Sequence, residues 1–262
     1  MLDHQSGAFL DLDDARIYYE MAGSPHGHPV ILLHGGLGSL EDFHPITGLI
    51  PDSFQVVAID MRGHGRSTLG TKPLTYQQHQ ADIQSLIRHL NLKEYSLLGF
   101  SDGGIVAYRL AAANNVVCAL VTIGAQWRLS TQDPSFEILD GVTAAAWTAM
   151  FPDAPQKYGA LNPQGSFNGL VKSCVNLWTD LGTTGYPQDS ISSIDCPTLI
   201  LRGDGDFLLS LEEAAEAQAM ISGSSFGNIP FAGHAAIEEA PEITGEIVRR
   251  FLLNPRKVQA EA

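Results

Sequence analysis

The residues with the clearest chemical potential in this chain are a serine, two aspartates and a histidine, each within two residues of a glycine. Gly99-Phe100-Ser101-Asp102-Gly103 has the pattern G-x-S-x-G. The flanking glycines let the backbone turn tightly around the serine without a Cβ clash. A serine hydroxyl is a poor nucleophile until a base within hydrogen-bond reach takes its proton and an acid orients that base. Candidates for both follow in the chain: Asp204 and Asp206 in Leu201-Arg202-Gly203-Asp204-Gly205-Asp206, then His234 in Gly233-His234. Upstream, His34-Gly35-Gly36-Leu37-Gly38 exposes backbone N–H groups suited to holding a developing oxyanion, with either the Gly36 or the Leu37 peptide able to point inward. The five-residue serine pattern alone is weak. Four such signals in the order glycine loop, Ser, Asp, His are far more specific.

Positioning these residues takes a scaffold that ends each of its strands near one place. Residues 8–12 and 16–21 flank Asp13-Asp14 and read as a hairpin. Short β-branched runs at 30–33 and 55–59 suit parallel strands covered on both faces. From 75 to 92 the apolar residues Tyr76, Ile83, Leu86, Ile87 and Leu90 recur at helical spacing. A strand at 95–100, a helix at 103–113 and a strand at 116–123 follow, so Ser101 falls at a strand-to-helix junction. The helix that begins there adds its unpaired N–H groups and positive dipole end beside the serine. Alternation breaks between 125 and 195, which hold all three tryptophans, Trp127, Trp147 and Trp178. It returns with a strand at 197–202, a helix at 210–221, a strand at 224–229 and a helix at 241–253. The expected fold is α/β, a doubly wound, mostly parallel sheet of about eight strands. Its core spans 1–124 and 196–262, and 125–195 form a helical insertion, not an independent domain.

HGGLGS at 34–39, DMRGHGRS at 60–67, GFSDGG at 99–104, PTLILRGDGDFLL at 197–209 and GHAAIEEAPE at 233–242 together resemble the α/β-hydrolase family, and the resemblance covers nearly the whole chain. It implies a cofactor-free serine hydrolase acting on a small or medium carboxylic ester. Ser101 would be the nucleophile, His234 the base, and Asp206, three residues after Gly203, the acid in preference to Asp204. The backbone N–H groups of Gly36 and Asp102 would form the oxyanion hole, and 125–195 would be the family's cap. Leu37, Asp102, Trp127, Trp147 and Phe151 are candidates for lining the substrate pocket, although Trp127, Trp147, Phe151, Phe167 and Trp178 read first as the core of the cap, with one or two of them facing the acyl pocket. The Asp102 carboxylate has two readings: a cap on the helix it opens, or recognition of a substrate amine, because Ser-Asp-Gly-Gly resembles members that cleave amino-acid esters. Thioesters, lactones, carbon–carbon bonds, amides and acyl transfer use the same triad and stay open. A ligand receptor on this fold is the alternative of another class.

Composition narrows the partners. Lys plus Arg number 15 and Asp plus Glu 29, a formal net charge of −14. Such an excess of acid disfavours nucleic acid and anionic membrane surfaces, both of which are bound through basic residues. Hydrophobic residues at 44% and charged ones at 17% fit a globular domain. The start lacks the basic and apolar regions of a signal peptide, and 116–125 is too short to span a bilayer, so a cytoplasmic location is expected. Cys118, Cys174 and Cys196 form no CxxC or Cys/His cluster, and His44, His79 and His89 lack acidic partners at ligand spacing, so no metal is expected. His34 and His64 read as braces for the backbone around the site. Arg62 and Arg66 read as loop-bracing ion pairs, with contact to an anionic substrate as the alternative.

Overall fold

In the computed structural model, which describes residues 2–257, the chain forms eight strands and ten α-helices among the described residues. In order they are β1 (Ala8–Asp11), β2 (Arg16–Gly23), β3 (His28–Leu33), α1 (His44–Thr47), β4 (Phe54–Ile59), α2 (Tyr76–His89), β5 (Tyr95–Phe100), α3 (Asp102–Ala113) and β6 (Val117–Ile123). Then come α4 (Pro134–Asp140), α5 (Ala144–Met150), α6 (Ala154–Leu161), α7 (Phe167–Trp178), β7 (Thr198–Gly203), α8 (Leu211–Met220), β8 (Ser225–Ile229), α9 (Ala236–Glu239) and α10 (Pro241–Leu253). The sheet order is β1-β2-β4-β3-β5-β6-β7-β8. β1 and β2 pair antiparallel, as do β2 and β4, and every other pair is parallel. This is the eight-stranded, mostly parallel α/β sheet expected.

Alternation along the strands produces two cores, one on each face. Ile31, Leu33, Leu97, Leu120 and Ile200 join residues of α2, α3 and α8. Val30, Leu32, Leu98, Val121, Leu199 and Leu201 join residues of α1, α9 and α10 on the other side. Strands covered on both faces are mostly apolar, and β5 and β7 are buried throughout, with Ser96, Thr198 and Arg202 as their buried polar residues. In α2 the buried face includes Tyr76, Ile83, Leu86 and Ile87, and also the polar His79 and Asp82. The helix starts at a Thr75 cap, whose hydroxyl accepts the Gln78 N–H.

The chain reverses its winding between β3, whose neighbour on one side is β4, and β5 on the other. At such a switch point the loops leaving adjacent strand ends diverge and open a crevice. His34 to Ser39 and Ser101 lie there. Between β6 and β7 the helices α4 to α7 are inserted. α5 and α6 bury no side chain, whereas α7 buries Leu170, Val171, Cys174, Leu177 and Trp178 on one face. Among the inserted helices α5 to α7, it is therefore α7 that buries an apolar face. No helix among the described residues is long and apolar enough to cross a membrane.

Candidate active site

Ser101 sits between β5 and α3 at φ 50°, ψ −120°, a left-handed conformation that a non-glycine residue adopts only under constraint. The constraint is visible on both sides. The Ser101 N–H donates to the Ile123 carbonyl at 2.8 Å, and the Gly103 N–H donates to the His34 carbonyl at 2.9 Å. A Cβ on Gly103 would run into the backbone of Leu33 and His34, so only glycine lets α3 press against the end of β3.

His234, in the loop after β8, lies with Nε2 2.9 Å from Ser101 Oγ and Nδ1 3.0 Å from Asp206 Oδ1. A carboxylate can only accept, so Nδ1 carries the proton and Nε2 is left to accept from the serine hydroxyl. Asp206 Oδ1 also accepts the Leu208 and Leu209 N–H groups at 2.9 and 3.0 Å, which fixes the carboxylate in the turn after β7. Its other oxygen, Oδ2, is buried without a hydrogen-bond partner. Asp204 is exposed; of the two aspartates in this turn it is Asp206 that meets the imidazole. The Phe100 and Phe207 rings flank that imidazole at centroid distances of 5.6 and 5.7 Å. Gly124, at φ +61°, ends β6 directly beneath: a Cβ there would stand 3.2 Å from Asp206 Oδ2 and from the His234 ring.

Across from the imidazole, the N–H groups of Gly36 and Asp102 have no acceptor among the described residues. The Leu37 N–H, by contrast, is donated to His64 Nε2 at 3.1 Å. Of the two peptides left open by the glycine run, Gly36 is therefore the one still free to donate. Asp102 is the acid in the first turn of α3, and its side chain is turned into the fold. It is buried, and it accepts from the Tyr76 hydroxyl at 2.9 Å and from the Trp178 indole N–H at 2.8 Å. Burial pushes its carboxyl up to about 6, against the opposing pull of those donors.

The remaining polar residues mostly brace the loops. His34 accepts the Met61 N–H and donates to the Gly35 carbonyl, and burial lowers its pKa well below the usual value. Arg62 is buried between Asp82 and Asp14, at 2.6 and 3.0 Å. Arg66, read from sequence as an ion pair, forms none among the described residues: its guanidinium donates to the His4 carbonyl and lies over the Tyr18 ring. The aromatic residues of the insertion have separate partners. Trp127 is buried in the core, with its indole N–H on the Glu213 carbonyl of α8. Trp147 and Phe151 pack on each other at 5.0 Å, with Phe151 exposed. Phe167 packs on Tyr158. The aromatic that meets the Ser101 turn is Trp178, which bonds Asp102 and backs Gly36, where a Cβ would come within 2.7 Å of the indole. Tyr76 and Asn162 were not singled out by their sequence context. Tyr76 has the spacing of one more apolar position of α2, and nothing local to Asn162 marks the carbonyls that its Nδ2 reaches, 95 to 99 residues away. Among the described residues no three His, Cys, Asp or Glu side chains converge as a metal site.

With this geometry in hand, comparison with known proteins gives consistent relatives. A family model described as "Alpha/beta hydrolase family" matches residues 30–246. A non-heme haloperoxidase of Rhodococcus erythropolis is 29% identical over 78% of this chain and 83% of its own length. A proline iminopeptidase of Xylella fastidiosa is 30% identical over 76% of this chain and 64% of its own length. Among solved structures, a thermophilic esterase from Thermogutta terrifontis superposes with a TM-score of 0.76 at 22% identity, covering 95% of this chain and 98% of that one, which is a likeness of fold.

Proposed function

Since the chain belongs to the alpha/beta hydrolase family, we infer that it is a serine hydrolase that cleaves a carboxylic ester of a small or medium molecule through an acyl-enzyme. The observation that carries this reading is the single imidazole shared between Ser101 Oγ and Asp206 Oδ1, at 2.9 and 3.0 Å. Ser101 attacks the ester carbonyl as His234 Nε2 takes its proton. Asp206 holds the imidazole in the tautomer this requires and stabilises the imidazolium that forms. The negative charge on the former carbonyl oxygen falls to the Gly36 and Asp102 N–H groups, at the start of α3, where the helix dipole also favours it. Collapse expels the alcohol, protonated by His234. Water then attacks the acyl-enzyme with His234 again as base, and Ser101 is restored.

Esters suit this arrangement because an alkoxide leaves with the one proton His234 carries. The test is a panel of p-nitrophenyl esters of increasing acyl length, run beside labelling with an organophosphate. Multiple turnovers and one covalent adduct on the Ser101 peptide are expected, with both lost in Ser101→Ala. Labelling that survives in Ser101→Ala would sink the assignment, and binding without turnover would move the protein to the receptor class.

A further inference from the structure

The cycle above uses the Gly36 N–H but does not explain what keeps its loop in place. Leu37 stands at φ +60°, a conformation that leucine does not hold unaided. Its N–H is fixed by His64 Nε2 at 3.1 Å, while His64 Nδ1 lies 3.0 Å from the Arg62 carbonyl. A carbonyl can only accept, so Nδ1 carries the proton and Nε2 is an acceptor. The ring is wholly buried, and burial lowers its pKa, which keeps it neutral and Nε2 open to the Leu37 N–H.

The insertion closes on the same place. Asn162 Nδ2 lies 3.3, 3.1 and 2.9 Å from the carbonyls of Gly63, Gly65 and Ser67, and the Tyr158 hydroxyl donates to Gly63 at 3.1 Å. Both residues therefore grip the loop that carries His64. From α7, Cys174 Sγ approaches His64 Nε2 at 3.6 Å, and Trp178 holds Asp102, whose N–H is the second oxyanion donor. Both donors are thus supported from behind by side chains that reach from the insertion.

We propose that His64 is the positioning residue of the oxyanion hole: it holds the Leu37 peptide so that the Gly36 N–H stays free for the developing oxyanion, and Asn162 fastens the insertion to the loop that carries His64. The proposal rests on the reading of Ser101 as an acylated nucleophile. It differs from a merely structural role for His64 in what a substitution should change. Losing an acceptor for Leu37 should weaken charge stabilisation in the transition state and leave ground-state binding alone.

The experiment compares the wild type with His64→Leu, which fills the space without an acceptor, His64→Gln, whose side-chain oxygen can replace Nε2, and Asn162→Ala. Steady-state kinetics on p-nitrophenyl butyrate are run beside the rate of Ser101 phosphorylation by diethyl p-nitrophenyl phosphate. His64→Leu should lower kcat by about 10- to 100-fold, less than the roughly 10²–10³ for outright loss of a donor. KM should stay within about threefold, phosphorylation should slow in parallel, and His64→Gln should recover most of the loss. Asn162→Ala should show a smaller loss of the same kind. Unchanged kcat in His64→Leu, a loss confined to KM, or His64→Gln as impaired as His64→Leu would each overturn the proposal. Nitrogen-15 spectra of the wild-type histidines provide a test that needs no variant. The Nδ1-protonated tautomer is expected at His64, and an Nε2-protonated ring could not accept from Leu37. Failure of the wild type to be labelled at Ser101 would instead strike the underlying reading.

Discussion

At the scale of single residues, the site turns on which oxygen meets the imidazole. Asp206 offers His234 a carboxylate already fixed by the Leu208 and Leu209 N–H groups, whereas Asp204 points to solvent. Asp206→Asn replaces an acceptor with a group that can favour the wrong imidazole tautomer. It should lower kcat on an ester by about 10⁴, the size seen when the acid of a serine protease is lost. Asp204→Asn should stay within a few-fold of wild type. Kinetics on the two purified variants separate them, and a larger loss in Asp204→Asn would reassign the acid.

At the scale of elements, the site is made where β3, β5, β6, β7 and β8 stop. Their ends come close together, and Gly124, the residue after β6, stands against Asp206 and His234. Gly124→Ala adds a methyl group 3.2 Å from Asp206 Oδ2 and the His234 ring, at a φ of +61°. The strained backbone alone should cost about 1 kcal/mol or more. Displacing the imidazole should lower kcat as well. Thermal melts and ester kinetics check both, and a variant as stable and active as wild type would show that the strand end can yield. The ends of β3, β5 and β6 were legible in the chain because each is a short, mainly apolar run at a glycine-containing turn, and the ranges read for β5 and α10 coincide with those observed. The serine, the histidine and both aspartates were legible for the same reason: each stands at a fixed offset from such a turn. What escaped reading depends on contacts between distant segments. Tyr76 has the spacing of a core residue in α2, yet its hydroxyl reaches Asp102. Trp127 and Trp178 are alike in composition and context, and only packing sends one toward α8 and the other to the serine turn.

At the scale of the whole molecule, burial opposes the ionisation of part of the acidic excess. Burial raises the Glu213 carboxyl to about 8 and that of Asp42 to about 7. Each pKa lies above its unfolded value, so the folded chain keeps a proton that the unfolded chain releases. That stability is present at low pH and is lost as pH rises through the folded values. The buried His34, His64 and His79 are shifted down and act with the opposite sign below about 6.5, where the unfolded rings take up protons. Between pH 7 and 8.5 the carboxyls act alone among these groups, and the melting temperature should fall. Glu213→Gln should flatten that fall by on the order of 1 kcal/mol, or about 2 °C for a chain of this size. Melting curves across that range check it; equal slopes in both proteins would count against a protonated Glu213.

The twisted backbone at Ser101 also bears on how the fold responds to substitution. At an ordinary position, alanine stabilises a chain relative to glycine by restricting the unfolded state, by roughly 0.4–1 kcal/mol. At φ 50°, ψ −120° the order should reverse, because alanine keeps the Cβ that strains the turn and glycine removes it. Both variants lose the hydroxyl, so their difference isolates the backbone. Ser101→Gly should melt above Ser101→Ala, leaving two inactive proteins ranked by the conformation that the active one has to maintain.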